Sequence, residues 1–333
     1  MASTGGPRRG ALVRSDELRP PAGGPRVGRL GGVEGAHVVR KAVLPVAGLG
    51  TRFLPVTKSV PKELLPVVDT PALQLIVEEC VRSGLDDVLF VSAMGKSSME
   101  DHFDRRLDLE RELEAKGKDD ELELVRSLAE LAHVHSVRQG EALGLGHAVL
   151  QAAGHVGPED SFAVLLGDDL LDPESDFLER MVAVHERTSR PVVALMEVPE
   201  EQVGLYGIAT VQPGEREGEH LISGLVEKPD AADAPSNLAV IGRYVLPGSI
   251  FGVLEDLPPG RGGEIQLTDA LEVMAAEEPI VGLTLDVPRF DAGDKLGYLQ
   301  ANVEFALRRP DLGPPLRAWL EELLAGDDPR ADA

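Results

Sequence analysis

Residues Lys41–Pro66 read KAVLPVAGLGTRFLPVTKSVPKELLP. The segment opens as a short apolar run of the kind that forms a buried strand, turns at Gly48 and Gly50, and then sets Arg52, Lys58 and Lys62 within a dozen residues. A glycine turn at the end of a strand lets backbone N–H groups approach a phosphate, and the three cations supply the charge that a polyphosphate needs. The third glycine of a dinucleotide-binding turn falls here on Phe53, and Pro55 obstructs the helix that should follow, so a dehydrogenase-type fold loses ground. The pattern Gly-x-x-x-x-Gly-Lys-Ser/Thr is also missing from this segment. What stands is a glycine loop followed by a basic, proline-punctuated stretch, a nucleotide site of another kind.

The strings GLGTRFLP (Gly48–Pro55) and PKELLP (Pro61–Pro66), with Lys58 between them, resemble the signature of the sugar-phosphate nucleotidyltransferases. Within that family the chain looks most like the bacterial UTP–glucose-1-phosphate uridylyltransferases, from about Arg40 to about Leu324. The resemblance implies a Rossmann-like α/β fold, with a mixed, mostly parallel sheet flanked by helices and a strand-rich sugar-binding part. It also implies Mg²⁺ as cofactor, and UTP and glucose 1-phosphate as substrates, with UDP-glucose and pyrophosphate as products. Relatives of this type are homodimers or tetramers, so a homo-oligomer is expected.

Composition bounds this reading. The 333 residues, 43% of them apolar, suffice for one large α/β domain or two smaller ones. Fifty-seven acidic against 33 basic residues give a net charge of −24, which argues against nucleic acid or an anionic membrane as a general partner. An anionic substrate must therefore be met by a local cluster such as Arg52, Lys58 and Lys62. A single cysteine, Cys80, excludes an intrachain disulfide, and its apolar helical setting points to a core role. No apolar run approaches the roughly 20 residues that span a bilayer, and no signal peptide is evident, so a cytoplasmic location is expected.

Residues 1–36 are rich in Gly, Pro and Arg and are expected to be a disordered extension. A nucleotidyltransferase domain is expected over 37–325, divided into a nucleotide-binding half (37–190), a sugar-binding half (191–312) and a C-terminal helix (313–325), with a polar tail over 326–333. Thr70 and Pro71 open a helix whose Leu73, Ile76, Val77 and Cys80 share one face. Strands are expected at Asp87–Ser92, His133–Val137 and Phe162–Leu166, with a charged, mostly helical segment over 96–132. Beyond Pro191 four more strands are expected, at Val192–Val198, Tyr206–Val211, Leu221–Val226 and Leu238–Leu246. Thr268 or Asp269 is expected to cap a later helix. The histidines show no spacing typical of a metal site.

Several motifs carry chemistry on the resemblance and a blander role without it. Gln139, at the head of a glycine-rich loop, offers the donor and acceptor that a uracil edge needs, although a loop glutamine is often only solvated. The resemblance places the base among Ala47, Gly48, Glu63, Gln139 and Gly144, and adds Gly50 and Thr51 to the nucleotide-binding residues. Asp168 and Asp169 end a buried strand, where carboxylates suit a hard divalent ion but also begin helices. The resemblance makes Asp168 a Mg²⁺ ligand, with Asp169 as second choice near the nucleotide, and Asp291 the second ligand. It gives Gly207, Glu227, Lys228 and Glu264 to the sugar and its phosphate, and Arg52, Lys62 and Lys228 to catalysis. A lone pair such as Glu227 and Lys228 is otherwise an ordinary surface pair. Two departures from the uridylyltransferase pattern stand out: Gly167 replaces a proline, as in thymidylyl-transferring relatives, and Phe290 and Ala292 replace Tyr and Cys. A glucose-1-phosphate thymidylyltransferase or other sugar nucleotidyltransferase, and a catalytically silent nucleotide-sugar-binding subunit, are the alternatives.

Overall fold

In this computed structural model residues 38–326 are described; the expected extension over 1–36 and the tail beyond Gly326 lie outside them. The opening apolar run is β1 (Lys41–Pro45), followed by three short 3-10 turns, Thr51–Phe53, Val56–Lys58 and Lys62–Leu64, in place of a helix. Pro55 and Pro61 account for this, because each lacks the N–H that a continuing helix would use. A small hairpin of β2 (Pro66–Val67) and β3 (Thr70–Pro71) leads into α1 (Ala72–Arg82). Leu73, Ile76, Val77 and Cys80 on its inner face are fully buried, and burial pushes the Cys80 thiol up, out of the reactive range.

The chain continues through β4 (Asp87–Ser92), α2 (Ser98–Phe103), α3 (Leu107–Ala115), α4 (Asp119–Ala129) and β5 (His133–Arg138). Next come α5 (Leu145–Leu150), α6 (Ala153–Val156), β6 (Ser161–Leu165), β7 (Asp169–Leu171), α7 (Phe177–Thr188) and β8 (Val192–Glu197). The remainder is β9 (Gly207–Pro213), β10 (Glu219–Glu227), β11 (Leu238–Pro247), α8 (Ile250–Asp256), α9 (Leu267–Glu277), β12 (Ile280–Thr284), β13 (Arg289–Asp291), α10 (Lys295–Arg308) and α11 (Gly313–Ala325).

Nine strands form one sheet in the order β5-β4-β1-β6-β11-β8-β12-β10-β9. The strands β5, β4, β1 and β6 run parallel, as do β8 and β12, whereas β11, β10 and β9 enter antiparallel. The expectation of a mostly parallel sheet is thus corrected: it describes the N-terminal half, and the adjacent pairings overall divide equally. The sheet is continuous across residue 190, because β11 inserts between β6 and β8. Alternate residues of β1 feed two cores. Ala42 and Leu44 pack with α1 and α7 on one face, and Val43 packs with α5, α8 and α9 on the other. A strand covered on both faces must be apolar throughout, which is why this run carries no alternating polar residue.

Two local expectations change. Helix α9 begins at Leu267 after an extended Gln266, so Thr268 and Asp269 lie inside its first turn and neither side chain caps it. The segment after Asp168 starts no helix; Asp169–Leu171 pairs antiparallel with Arg289–Asp291 as a two-stranded ribbon outside the main sheet. Three residues a side is too short for hydrophobic periodicity to reveal.

This ribbon is tied to the core by charge. Arg243 of β11 is fully buried; its Nε and Nη2 donate to Glu79 Oε1 and Oε2 of α1 at 2.9 and 2.7 Å, and Nη2 also donates to the backbone oxygen of Asp169 at 2.7 Å. Burial works against the charge of Arg243, and Glu79 and Asp169 keep it protonated. A buried ion pair contributes little net stability against an apolar substitute, but removing one partner strands the other at a cost of about 3–5 kcal/mol. Glu79→Ala is therefore expected to lower the unfolding free energy by about that amount in urea denaturation, and wild-type stability would contradict this role.

Candidate active site

The loops at the C-terminal ends of β1 and β6 face each other, the edge at which open α/β sheets bind ligands. After β1 the backbone passes through Gly50 at φ 64°, a conformation that disfavours a side chain, and Thr57 Oγ1 donates to the Gly50 oxygen at 2.8 Å. This fold-back leaves Gly48, Thr51, Arg52 and Lys58 exposed, with Ala47, Gly50 and Lys62 half-buried.

Lys62 forms an ion pair with Asp168 Oδ2, and Arg52 Nη1 reaches the backbone oxygen of Gly293 at 3.4 Å. Across the ribbon, the Ala292 N–H donates to the Asp168 oxygen at 2.7 Å and the Gly293 N–H to Asp291 Oδ1 at 2.9 Å. The two carboxylates converge on Gly293: a Cβ there would collide with Asp168 Oδ2 and stand 3.0 Å from Asp291 Oδ1. Burial raises the pKa of Asp291; Arg289 opposes that rise and the neighbouring Asp168 adds to it. Two converging carboxylate oxygens, half-buried and mutually repelling, are a donor set that suits Mg²⁺, a hard ion bound through one or two carboxylates, phosphates and water. The Lys62 ammonium offsets part of their negative charge.

Two expected ligand-binding residues, Asp169 and Glu63, have buried and paired carboxylates. Asp169 is buried, with Oδ1 accepting from Arg289 Nε at 2.7 Å and Oδ2 from the Gly242 N–H at 2.8 Å. The Asp169 carboxylate thus points inward, where it holds the ribbon to β11. Glu63 is buried as well, and both its oxygens accept from Lys96 Nζ, at 2.9 and 3.0 Å. Lys96 Nζ also donates to the Val46 oxygen at 2.6 Å, so the pair braces the end of β1 and the loop that follows it. Burial raises the Glu63 pKa and lowers that of Lys96, while each opposes the shift of the other.

Gln139 donates through Nε2 to the Gly144 oxygen at 3.2 Å and lies 3.1 Å from His147 Nδ1, which holds the glycine-rich loop in shape. That loop is clamped to the segment carrying Glu264, since the Ile265 N–H donates to Leu143 at 2.7 Å and the Gly146 N–H to Ile265 at 2.9 Å. The Glu264 carboxylate is exposed and accepts from Gln266 Nε2 at 2.7 Å. At the facing ends of β9 and β10, Gly207 pairs with Glu227, and Lys228 Nζ lies 2.8 Å from Glu227 Oε1. Lys228 has φ 48°, and its N–H donates to the Tyr206 oxygen at 2.9 Å. The Arg289 guanidinium lies 6.0 Å from the centroid of the Tyr206 ring, linking this corner to the carboxylate ribbon.

Sequence reasoning missed Lys96, Arg289, Arg243 and Glu79, whose partners are far along the chain and follow no local spacing. Gly167 has a packing explanation: a Cβ there would stand 2.8 Å from Val46 Cγ1 and 3.2 Å from Glu63 Cγ. The exit of β6 must therefore be thin to pass the exit of β1. A hollow of about 640 Å³ is lined by Pro199, Val203, Ala234 and Asn237, and none of these is among the expected site residues. The convergent charges instead line the exposed loop surface, where geometry and chemistry agree.

The family model for nucleotidyl transferases matches residues 41–306. A UTP–glucose-1-phosphate uridylyltransferase of Bacillus subtilis is 48% identical over 286 residues, 86% of this chain and 96% of that protein. Among solved structures, a UDP-glucose pyrophosphorylase from Acinetobacter baumannii superposes with a TM-score of 0.78 at 42% identity, covering 86% of this chain and 99% of that one. A UDP-glucose pyrophosphorylase complexed with UDP-glucose gives 0.73 at 38% identity, over 80% and 98%. A structure described as a glucose-1-phosphate thymidylyltransferase of Bacillus anthracis, at 22% identity and a TM-score of 0.61, shares the fold alone.

The Lys96 and Glu63 pair yields a stability test. Lys96→Met strands a buried carboxylate and is expected to cost about 3–5 kcal/mol in denaturant unfolding. Adding Glu63→Gln should recover part of that loss, and additive losses in the double variant would show that the two do not act as a pair.

Proposed function

The chain belongs to the nucleotidyl transferase family, and from that premise we propose that it transfers UMP from UTP to glucose 1-phosphate, forming UDP-glucose and releasing pyrophosphate. The observation that carries this reading is the convergence of Asp168 and Asp291 beside Lys62 and Arg52, at the glycine loop that follows β1. A silent nucleotide-sugar-binding subunit would have no need to keep metal-side carboxylates and phosphate-side cations together. The thymidylyl alternative rested on Gly167, for which packing against Val46 gives a sufficient reason.

The attacking group is a phosphate oxygen of the sugar, already largely ionised at neutral pH because its second pKa is about 6. No general base is required, and catalysis rests on alignment with the α-phosphorus and on charge compensation. Lys228 holds the sugar phosphate, while Glu227, Gly207 and Glu264 border the sugar. Backbone N–H groups of Gly48, Gly50 and Thr51 cradle the nucleotide phosphates; Ala47, Gln139 and Gly144 shape the base pocket, with Glu63 acting through Lys96. Lys62 exchanges Asp168 for a phosphate oxygen when the nucleotide enters, and with Arg52 offsets the charge gathering on the departing pyrophosphate. Asp168 and Asp291 are the residues that would hold Mg²⁺, which when bound neutralises phosphate charge and polarises the α-phosphoryl group.

Exclusion of nucleic acid rests on the charge of −24. No helix among the described residues is long and apolar enough to cross a membrane, and a cytoplasmic setting is where both substrates would be met. A homo-oligomer follows from the resemblance; the exposed Leu296, Leu299, Trp319 and Leu324 of α10 and α11 give apolar surface compatible with one.

Pyrophosphate release, measured with Mg²⁺, glucose 1-phosphate and each of UTP, dTTP, ATP and GTP, is expected to favour UTP and to stop on chelation. Preference for dTTP, or no release with any of the four, would overturn the assignment. Lys62→Ala is expected to lower kcat by about 10²- to 10³-fold with a smaller rise in KM for UTP. Lys228→Ala is expected to raise the KM for glucose 1-phosphate at least about tenfold, and unchanged kinetics in either variant would remove that lysine from the mechanism.

A further inference from the structure

A second group of chemistry-bearing side chains sits at the other end of the parallel strands. Asp87 is the first residue of β4 and lies beside Lys41, the first of β1, whereas the cleft loops follow the last residues of β1 and β6. His135 projects from the edge strand β5, in register with Leu89, and His155 comes from α6. One carboxylate oxygen and one ring nitrogen from each histidine all lie within 4.8 Å of one another. His155 Nε2 is 2.8 Å from Asp87 Oδ1 and His135 Nε2 is 3.8 Å from the same oxygen. The two rings stand side by side, 4.9 Å between centroids and tilted by 48°.

A hydrogen-bonded His155 and Asp87 would by themselves be an ordinary pair. The second imidazole makes the difference, because its Nε2 is too far from Asp87 for a hydrogen bond and yet points at the same oxygen. We propose that Asp87, His135 and His155 form a binding site for a borderline divalent transition metal, of which Zn²⁺ is the reference case, separate from the carboxylate pair of the cleft. Two imidazoles and one carboxylate are a ligand set such ions favour, and one that Mg²⁺ does not. Bonds of about 2.0–2.1 Å in a tetrahedral shell place ligand atoms roughly 3.3 Å apart, so the shell closes on a modest turn of His135, which is 53% exposed. His155 is already braced. Lys41 Nζ donates to the backbone oxygens of His155 and Val156, each at 3.1 Å, and to Asp160 Oδ2 at 2.7 Å, so three oxygens partner that neighbouring ammonium. Three protein ligands leave one position for water. A bound ion would pin the edge strand β5 to β4 and α6. The histidine spacing in the sequence gives no hint of this, because each ligand comes from a different element.

The test uses the full chain, stripped with a chelator and returned to excess Mg²⁺ so that the cleft carboxylates are occupied, and titrates it with Zn²⁺ by calorimetry. One ion per chain is expected, with a Kd on the order of a micromolar or tighter and a rise in Tm on binding. His135→Ala and His155→Gln should each weaken binding at least about tenfold, while Asp168→Asn binds Zn²⁺ as the wild type does. The glutamine variant keeps a hydrogen-bonding group for Asp87, and pyrophosphate release by both histidine variants shows that they are folded. Absence of binding at these concentrations, binding unchanged in the two histidine variants, or loss of binding in Asp168→Asn would overturn the proposal.

Discussion

The buried guanidinium of Arg243 is the constraint on which the rest of the cleft depends. It joins a helix on one face of the sheet, through Glu79, to the backbone of Asp169 at the start of the outlying ribbon. Asp169 in turn fixes Arg289 on the opposite ribbon strand, and the register of that ribbon sets Asp291 opposite Asp169 and next to Asp168. A chain of buried charges thus converts the position of a core helix into the position of two carboxylates. A purely apolar core at this place could be as stable or more so, but it would not dictate the direction of a polar ribbon.

The same economy of charge explains how a strongly acidic chain can bind polyanions. The net charge is −24, whereas Arg52, Lys58 and Lys62 are concentrated on one loop. Lys62 is paired with Asp168 and Arg52 with a backbone oxygen, so the cations are held in place by contacts that a phosphate can replace. Lys96 differs: it is buried, committed to Glu63 and the Val46 oxygen, and serves the shape of the loop. Of these three lysines, Lys96 therefore supports the loop, while Lys58 and Lys62 are placed to meet ligand.

What the sequence makes legible follows the range of the interactions. The first strand and its loop can be read because the apolar run, the glycines and the cations are contiguous, and α1 can be read because its four inward residues recur at helical spacing. The ribbon of β7 and β13 cannot, since each strand has three residues and its partner lies far along the chain. Asp168 and Asp291 are singled out only by family resemblance, and Asp169, adjacent and chemically identical, points inward; a one-residue step along a strand reverses the side a residue faces. Glu63 looks like part of the loop chemistry until its buried partner Lys96 is seen. The antiparallel half of the sheet is legible as strands but not as an order, because β11 crosses back to join β6.

The dependence of pyrophosphate release on Mg²⁺ concentration in Arg289→Gln tests the central claim most directly. Arg289 is outside the reacting groups, and its function in this account is to hold the ribbon through Asp169. The account predicts that the variant folds, needs substantially more Mg²⁺ for half-maximal release, and recovers much of its rate when Mg²⁺ is raised. An unchanged Mg²⁺ requirement in a folded Arg289→Gln protein would contradict it, because the carboxylate pair would then be positioned without the buried charges.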